Sequence, residues 1–386
     1  KMRNQNTLLI PGDFPPVVSG ISTYYYQIWR LLPQENNYIL CPKDPGWEQF
    51  DAQAGLQTIR RRIPAGNLIR DKLLKGLLYA FWTLVLDRKY HFRKIHCGQV
   101  LSSGFTGWLM NKLFGIPYNI YVYGSETFRF GYSPLFMKYI KTFLSNAEYI
   151  VPNSQFTCNE FMALGIPPEK FKIITPGVDT GFFKPAPKDA TLVEKYGLSG
   201  KTVLLTVARL DERKGHDMMI RAVADLSSQF PDLIYLIVGS GREEERLRQL
   251  TSELNVTDHV IFCGYIPDAD LPKFYNLCDI FILLNRQTYD DVRLRGDYEG
   301  FGIVFLEAAA CGKPVVAGDF GGVASAIENR RSGLIIDAND QSAIRQTLVS
   351  LIQNPTLREQ LGQYGLERAR QSFDWQIISR EIMKIL

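Results

Sequence analysis

Two glutamates eight positions apart, Glu299 and Glu307, flank the turn Gly300-Phe301-Gly302-Ile303, which opens into an apolar helical run ending at Gly312. Glycines let a backbone approach a ligand closely, and the free N–H groups at a helix start point at anions. Phosphates at that turn, with a carboxylate on each side for sugar hydroxyls, describe a cradle for a nucleotide sugar. Taken alone, the same residues also fit an ordinary helix start with two solvated acids. The surroundings must decide.

The surroundings are Ala208-Arg209-Leu210-Asp211-Glu212-Arg213-Lys214-Gly215-His216. Arg209 directly follows an apolar strand, and Lys214 lies in the loop before the next helix. Cations at the carboxyl end of a parallel strand sit where such sheets bind ligands. Arg209 and Lys214 can therefore neutralise a diphosphate leaving group without a metal. Arg213 is expected to be a solvated loop charge.

A third element, Gly12-Asp13-Phe14-Pro15-Pro16-Val17-Val18-Ser19-Gly20, joins the first strand to its helix. It lacks both the GxGxxG dinucleotide spacing and the GxxxxGK[ST] phosphate loop. Val238-Gly239-Ser240-Gly241-Arg242 resembles a dinucleotide turn, yet Glu244 stands at the third-glycine position and Val260–Cys263 runs into Gly264 with no acid. A nicotinamide-dependent oxidoreductase is disfavoured.

These residues need elements that place them. Short apolar runs alternate with amphipathic stretches along all 386 residues. Strands are expected at Thr7–Ile10, Tyr38–Cys41, Gln99–Ser102, Asn119–Tyr123, Tyr149–Val151 and Phe171–Ile174. A second set is expected at Thr202–Val207, Leu233–Val238, Val260–Cys263, Ile280–Leu284, Pro314–Ala317 and Gly333–Ile336. Bounded by Gly and Pro, such runs are buried parallel strands with crossover helices, here Met218–Gln229 and Glu243–Leu254 among others. The fold class is α/β, a doubly wound sheet formed twice. The Pro- and Lys-rich run Gly181–Lys188 separates residues 1–183 from 184–372, and 373–386 ends in an amphipathic helix.

Composition narrows the function. Hydrophobic residues at 46% and charged residues at 22% fit a globular protein, and a net charge of +4 gives no support to nucleic-acid binding. The six cysteines show no CxxC pair and the four histidines no HxxxH set, so neither a disulfide framework nor a protein-built metal site is expected. Lys1-Met2-Arg3-Asn4-Gln5-Asn6 leads directly into a strand-like run, so no secretory leader is expected. The longest apolar stretch, Gly76 to Leu86, is too short for a membrane span.

In order along the chain, Phe14-Pro15-Pro16, Asn153-Ser154, Pro176-Gly177-Val178-Asp179, Arg209 with Lys214-Gly215, Val238-Gly239, Gly264, the Glu299/Glu307 motif and Phe373-Asp374-Trp375 resemble a retaining glycosyltransferase of family 4. The likeness covers nearly the whole length. It implies the GT-B fold, with two Rossmann-like domains facing a cleft and a terminal helix returning to the first. It further implies that Arg209 and Lys214 hold the diphosphate, Glu307 bonds the ribose and Glu299 contacts the donor sugar. Gly300 and the N–H groups of Phe301, Gly302 and Ile303 would support sugar and phosphates. Gly239, Tyr265 and Ile266 would border the nucleotide, and Ser19-Gly20 would approach the donor from the first domain. Tyr123-Gly124-Ser125-Glu126 stands where the family usually has histidine, glycine and, two positions on, an acid. Tyr123 and Glu126 are thus candidates for the donor sugar or acceptor.

The segment 60–94 carries ten Lys/Arg, Arg60, Arg61 and Arg62 among them, interleaved with leucines and aromatics. Since the resemblance implies lipid-linked acceptors, it is expected to rest on an anionic membrane surface, the alternative being a helix whose apolar stripe packs on the first domain while its charges stay solvated. The reading is a peripheral cytoplasmic, metal-independent enzyme with no cofactor, acting on a glycan or lipid-linked acceptor. The first-choice donor is UDP-glucose-like and the second GDP-mannose. A non-catalytic nucleotide-sugar-binding protein of the same fold is the alternative. A glycan phosphorylase would need a pyridoxal phosphate lysine, and no segment identifies one.

Overall fold

The computed structural model describes residues 5–64, 69–124, 133–290, 295–297 and 299–386. The chain divides into two compact units, residues 1–176 with 375–386 and residues 177–374. The expected boundary at 183/184 thus moves back to 176/177. The reason is local: Val178 N–H donates to Phe373 O at 2.8 Å, and Phe183 is buried in the second unit's core.

The first unit holds β1 (Thr7–Ile10), β2 (Asn37–Pro42), β3 (Gln57–Arg61), β4 (Lys94–Cys97), β5 (Tyr118–Val122) and β6 (Tyr149–Pro152). All neighbours pair parallel, in the order β3-β2-β1-β4-β5-β6. The second holds β7 (Thr202–Val207), β8 (Leu233–Val238), β9 (Val260–Gly264), β10 (Ile280–Leu283), a short antiparallel pair β11 (Thr288–Asp290) and β12 (Arg295–Asp297), β13 (Val315–Gly318) and β14 (Gly333–Ile336). Its main sheet runs β14-β13-β10-β7-β8-β9, again wholly parallel. Each sheet reverses its winding once, between β1 and β4 and between β7 and β10. Ligands of open α/β sheets bind outside the strand carboxyl ends at such a reversal.

β7, β8 and β10 are almost wholly buried, which is why they read as unbroken apolar runs. Two strands of the first unit do not read that way. β4 begins at Lys94, whose ammonium is buried against Glu148 Oε1 and Ile385 O, both at 3.0 Å, and it contains His96, bonded to the Tyr121 hydroxyl at 2.9 Å. β3 carries buried Arg60, which pairs with Asp51 at 2.8 Å and donates to Pro15 O and Pro42 O. Polar residues with internal partners disguise both strands.

The expected strand Gln99–Ser102 is instead the entry to the helix Ser103–Phe114: Gln99 O accepts from Gly104 N–H and from the Ser103 hydroxyl. Phe171–Ile174 lies along β6 with bonds from Lys172 N–H to Ile150 O and from Ile174 N–H to Pro152 O, but forms only an isolated bridge. The terminal helix Trp375–Met383 belongs to the first unit. Trp375, Ile378, Ser379 and Ile382 recur on one face and are buried, Trp375 edge-on to Tyr24 at 6.2 Å.

Candidate donor site

The loop after β7 places the cations. Arg209 follows the strand by two residues, and its backbone carbonyl is held by His216 Nε2 at 3.3 Å. The other ring nitrogen of His216 meets the Tyr235 hydroxyl at 3.3 Å, and Tyr235 donates to Thr206 at 2.8 Å. Burial, aided by the nearby Lys214 charge, lowers the His216 pKa to about 4, so at neutral pH this histidine is an uncharged strut. Nothing in the histidine spacing pointed to it; its place directly after Lys214-Gly215 was the available clue.

Gly239, at the end of β8, has φ +134°, and a Cβ there would stand 2.0 Å from Ala208 O. Only glycine permits this approach, and it fixes the Arg209 backbone from the other side. Gly239 N–H donates to Gly264 O at 2.8 Å, linking the loops that follow β8 and β9. Tyr265 beyond that glycine is exposed, and Ile266 is half-buried.

The Arg209 side chain is 71% exposed and pairs with Asp211 at 3.0 Å. Lys214 is turned inward and donates to Glu299 Oε2. Arg213, expected to be solvated, is only 13% exposed and donates to the same oxygen at 3.2 Å. The correction has a backbone cause: Arg286 N–H holds Arg213 O at 2.9 Å, while the Arg286 guanidinium pairs with Asp217 at 3.0 Å. The loop after β10 thereby grips the loop after β7 and turns Arg213 toward Glu299.

Glu299 is held in place by Gly322, whose N–H donates to its carbonyl at 2.8 Å. Gly322 belongs to Gly318-Asp319-Phe320-Gly321-Gly322 after β13, a glycine-rich run at a strand's carboxyl end that sequence reading passed over. Three residues beyond Glu299, Gly302 at φ +88° begins the helix Ile303–Ala310. Among the described residues no side chain caps this helix start, which suits its first N–H groups to an anion. Phe301 is buried beside it.

The two glutamates differ electrostatically. Burial would raise the Glu299 pKa, but the Lys214 and Arg213 charges and hydrogen bonds outweigh it and hold the carboxyl at about 2. Glu307, inside the helix, has no cation acting on it among the described residues. Burial raises its pKa to about 7, opposed by a hydrogen bond from the Tyr275 hydroxyl at 2.6 Å and aided by Asp268. At neutral pH Glu299 is ionised while Glu307 is divided between its two protonation states, a division that suits separate tasks.

The residue types fit a nucleoside diphosphate sugar, and comparison with known proteins agrees. Residues 18–182 match the model described as Glycosyltransferase Family 4, and residues 188–368 that described as Glycosyl transferases group 1. The chain belongs to the family 4, group 1 glycosyltransferases. This glycosyltransferase is 35% identical to the GDP-mannose-dependent monoacylated alpha-(1-6)-phosphatidylinositol monomannoside mannosyltransferase of Corynebacterium glutamicum, covering 99% of this chain and 98% of the relative. It is 29% identical to the GDP-mannose-dependent alpha-(1-6)-phosphatidylinositol monomannoside mannosyltransferase of Mycolicibacterium smegmatis, over 98% and 97%. Its fold is that of Anabaena HepE, solved with UDP, at a TM-score of 0.82 and 19% identity over 98% and 99% of the two chains.

In the first unit of the glycosyltransferase, Ser19 caps the helix Gly20–Trp29, accepting from Ser22 N–H at 3.1 Å and donating to Asp13 at 3.0 Å. The Tyr123 hydroxyl donates to that of Tyr25, within a cluster of edge-on aromatics that includes Tyr24. Glu126 lies outside the described residues.

Proposed function

We propose that this glycosyltransferase moves mannose from GDP-mannose to a sugar-bearing lipid headgroup, with retention at the anomeric carbon. The observation that carries the reading is the Lys214–Glu299–Arg213 cluster at the carboxyl ends of β7 and β10, with exposed Arg209 beside it. Arg209 and Lys214 neutralise the departing diphosphate, and Glu299 orients the donor sugar. The acceptor hydroxyl attacks from the face the diphosphate leaves, and its proton passes to the departing phosphate. With two side-chain cations serving the diphosphate, the mechanism requires no metal.

GDP-mannose displaces the UDP-glucose-like donor as first choice. Full-length relatives at 29% and 35% identity carry GDP-mannose in their names, whereas the UDP-bound neighbour shares 19%. Assay of the purified enzyme with GDP-mannose and with UDP-glucose, on phosphatidylinositol monomannoside in vesicles, tests this. Mannosyl transfer from GDP-mannose is expected, unaffected by a chelator. Transfer from UDP-glucose alone, or loss on chelation restored by magnesium, overturns it.

A lipid acceptor requires the enzyme to reach a membrane surface. Among the described residues no helix is long and apolar enough to cross one. The helix Ile69–Tyr90 instead exposes Leu74, Leu77, Phe81 and Val85 along one face, Leu77 at 57% and Phe81 at 55%. Exposed Arg62, Arg88 and Lys89 flank it, whereas Arg60 and Lys94 are consumed internally and leave the basic set. A peripheral position on the cytoplasmic membrane face accompanies this reading. Leu77→Ser with Phe81→Ser should abolish sedimentation with anionic vesicles; undiminished sedimentation would assign the stripe another role.

A further inference from the structure

Glu307 does not act alone. Its side chain leaves the helix Ile303–Ala310, and Oε2 accepts a hydrogen bond from the Tyr275 hydroxyl at 2.6 Å. Tyr275 is completely buried on the helix Leu271–Leu277, a different element of the second unit. Its ring is wedged edge-on to Phe183 at 5.7 Å and tilted against Phe281 at 5.5 Å, so the side chain has no room to turn. Its backbone is fixed as well. Tyr275 O accepts from the Cys278 thiol at 3.2 Å, and the neighbouring Asn276 ties the helix to Lys184 O at 3.0 Å and to Ala186 N–H at 2.9 Å.

A phenol has one proton to donate. Here a rigid core aims it at one oxygen of a carboxyl group that, among the described residues, no cation neutralises. The second oxygen, Oε1, is then the one whose direction the hydroxyl determines. We propose that Tyr275 is a positioning residue for donor binding, fixing the Glu307 carboxylate so that Oε1 meets a vicinal diol, the ribose of the nucleotide. The inference rests on the reading of Glu307 as the ribose-binding glutamate.

The hydroxyl has a second effect. Among the described residues the groups that act on Glu307 are Tyr275, Asp268 and Cys311, and none of these is a cation. Burial pushes the Glu307 pKa up to about 7, and the Tyr275 hydrogen bond is the contribution that restrains it. Removing the hydroxyl lets the pKa climb further. At neutral pH the carboxyl is then mostly protonated and a weaker acceptor for a diol. A residue that merely filled the core would weaken binding to the same extent at every pH.

The test is the dissociation constant of GDP, and of UDP in parallel, at pH 6, 7 and 8.5 for the wild type, Tyr275→Phe and Glu307→Gln. With one charge-assisted hydrogen bond to the carboxylate lost, Tyr275→Phe should weaken the tighter nucleotide about tenfold at pH 7. The deficit should shrink to about threefold or less at pH 8.5, where the carboxyl ionises without help. A deficit equal at all three pH values, or none, overturns the proposal. Glu307→Gln should be weakened and lose its pH dependence. If it binds like the wild type, the ribose assignment itself fails, which is distinguishable from a failure of Tyr275 alone. Should Tyr275→Phe not fold, Glu307→Asp draws the carboxyl one methylene away from the hydroxyl and must show the same pH-dependent loss; wild-type binding in that variant also overturns the proposal.

Discussion

Arg213 Nη1 lies 3.2 Å from Glu299 Oε2, the same oxygen that accepts from Lys214. Two cations on one carboxylate oxygen keep Glu299 ionised far below its ordinary range, at about 2. A carboxyl whose folded pKa is depressed stabilises the fold above its unfolded pKa near 4.5 and loses that contribution as pH falls toward 2. Glu299→Gln should therefore lower the melting temperature at pH 7, by the equivalent of about 1–3 kcal/mol, because two cations lose their charged partner. The gap to the wild type should close below about pH 4. A gap constant from pH 7 to pH 3 in thermal melts would disprove the linkage.

Arg209 and Lys214 should separate in stability but not in turnover. Arg209 is 71% exposed, so Arg209→Ala should fold normally yet turn over roughly 100- to 1000-fold more slowly, the scale for losing one charge-stabilising donor. Lys214→Ala should lose as much activity and also lower the melting temperature, since the 15% exposed Glu299 keeps only Arg213. Near-normal turnover in both variants removes the leaving-group site.

Glu307 should cost stability in the unliganded enzyme. Its pKa is raised to about 7, so its favourable contribution is complete below about 4.5 and disappears as pH rises through 7. Glu307→Gln should therefore be more stable than the wild type at pH 8, by about 1–3 kcal/mol, and similar to it at pH 5. The same variant should bind GDP more weakly, whereas Glu299→Gln should spare GDP binding and slow transfer. Calorimetry that finds both variants equally weakened would end this division of roles.

Tyr123 allows a sharper test than its position in the sequence suggested. From the sequence, Tyr123→Phe is expected to leave stability near normal. In the structure its hydroxyl donates to Tyr25, which is wholly buried. Leaving that oxygen short of a partner should cost about 1–2 kcal/mol in denaturant unfolding. Transfer kinetics of the folded variant then decide whether the same hydroxyl also serves the donor sugar or acceptor; unchanged kinetics would assign it to packing alone.

The sequence by itself determined the two parallel sheets, because strands buried on both faces must be apolar along their length, as Thr202–Val207 and Leu233–Val238 are. It also offered Arg209, Lys214, Glu299 and Glu307 as candidates, from charged residues beside glycines at strand ends, and the fold brings Lys214 against Glu299. It missed β3 and β4 because Arg60, Lys94 and His96 are buried there against partners elsewhere in the chain, such as Glu148 and Ile385, 54 and 291 positions from Lys94. Pairing at that range leaves no local pattern. For the same reason only the tertiary structure decided which arginine reaches Glu299. Arg213 and Arg209 occupy one loop, and the carbonyl grip of Arg286, 73 positions beyond Arg213, turns the first inward. The different charge states of Glu299 and Glu307 were likewise out of reach of the sequence. A carboxyl's pKa is set by what surrounds it, and Lys214 and Tyr275 come to these two glutamates only through the fold.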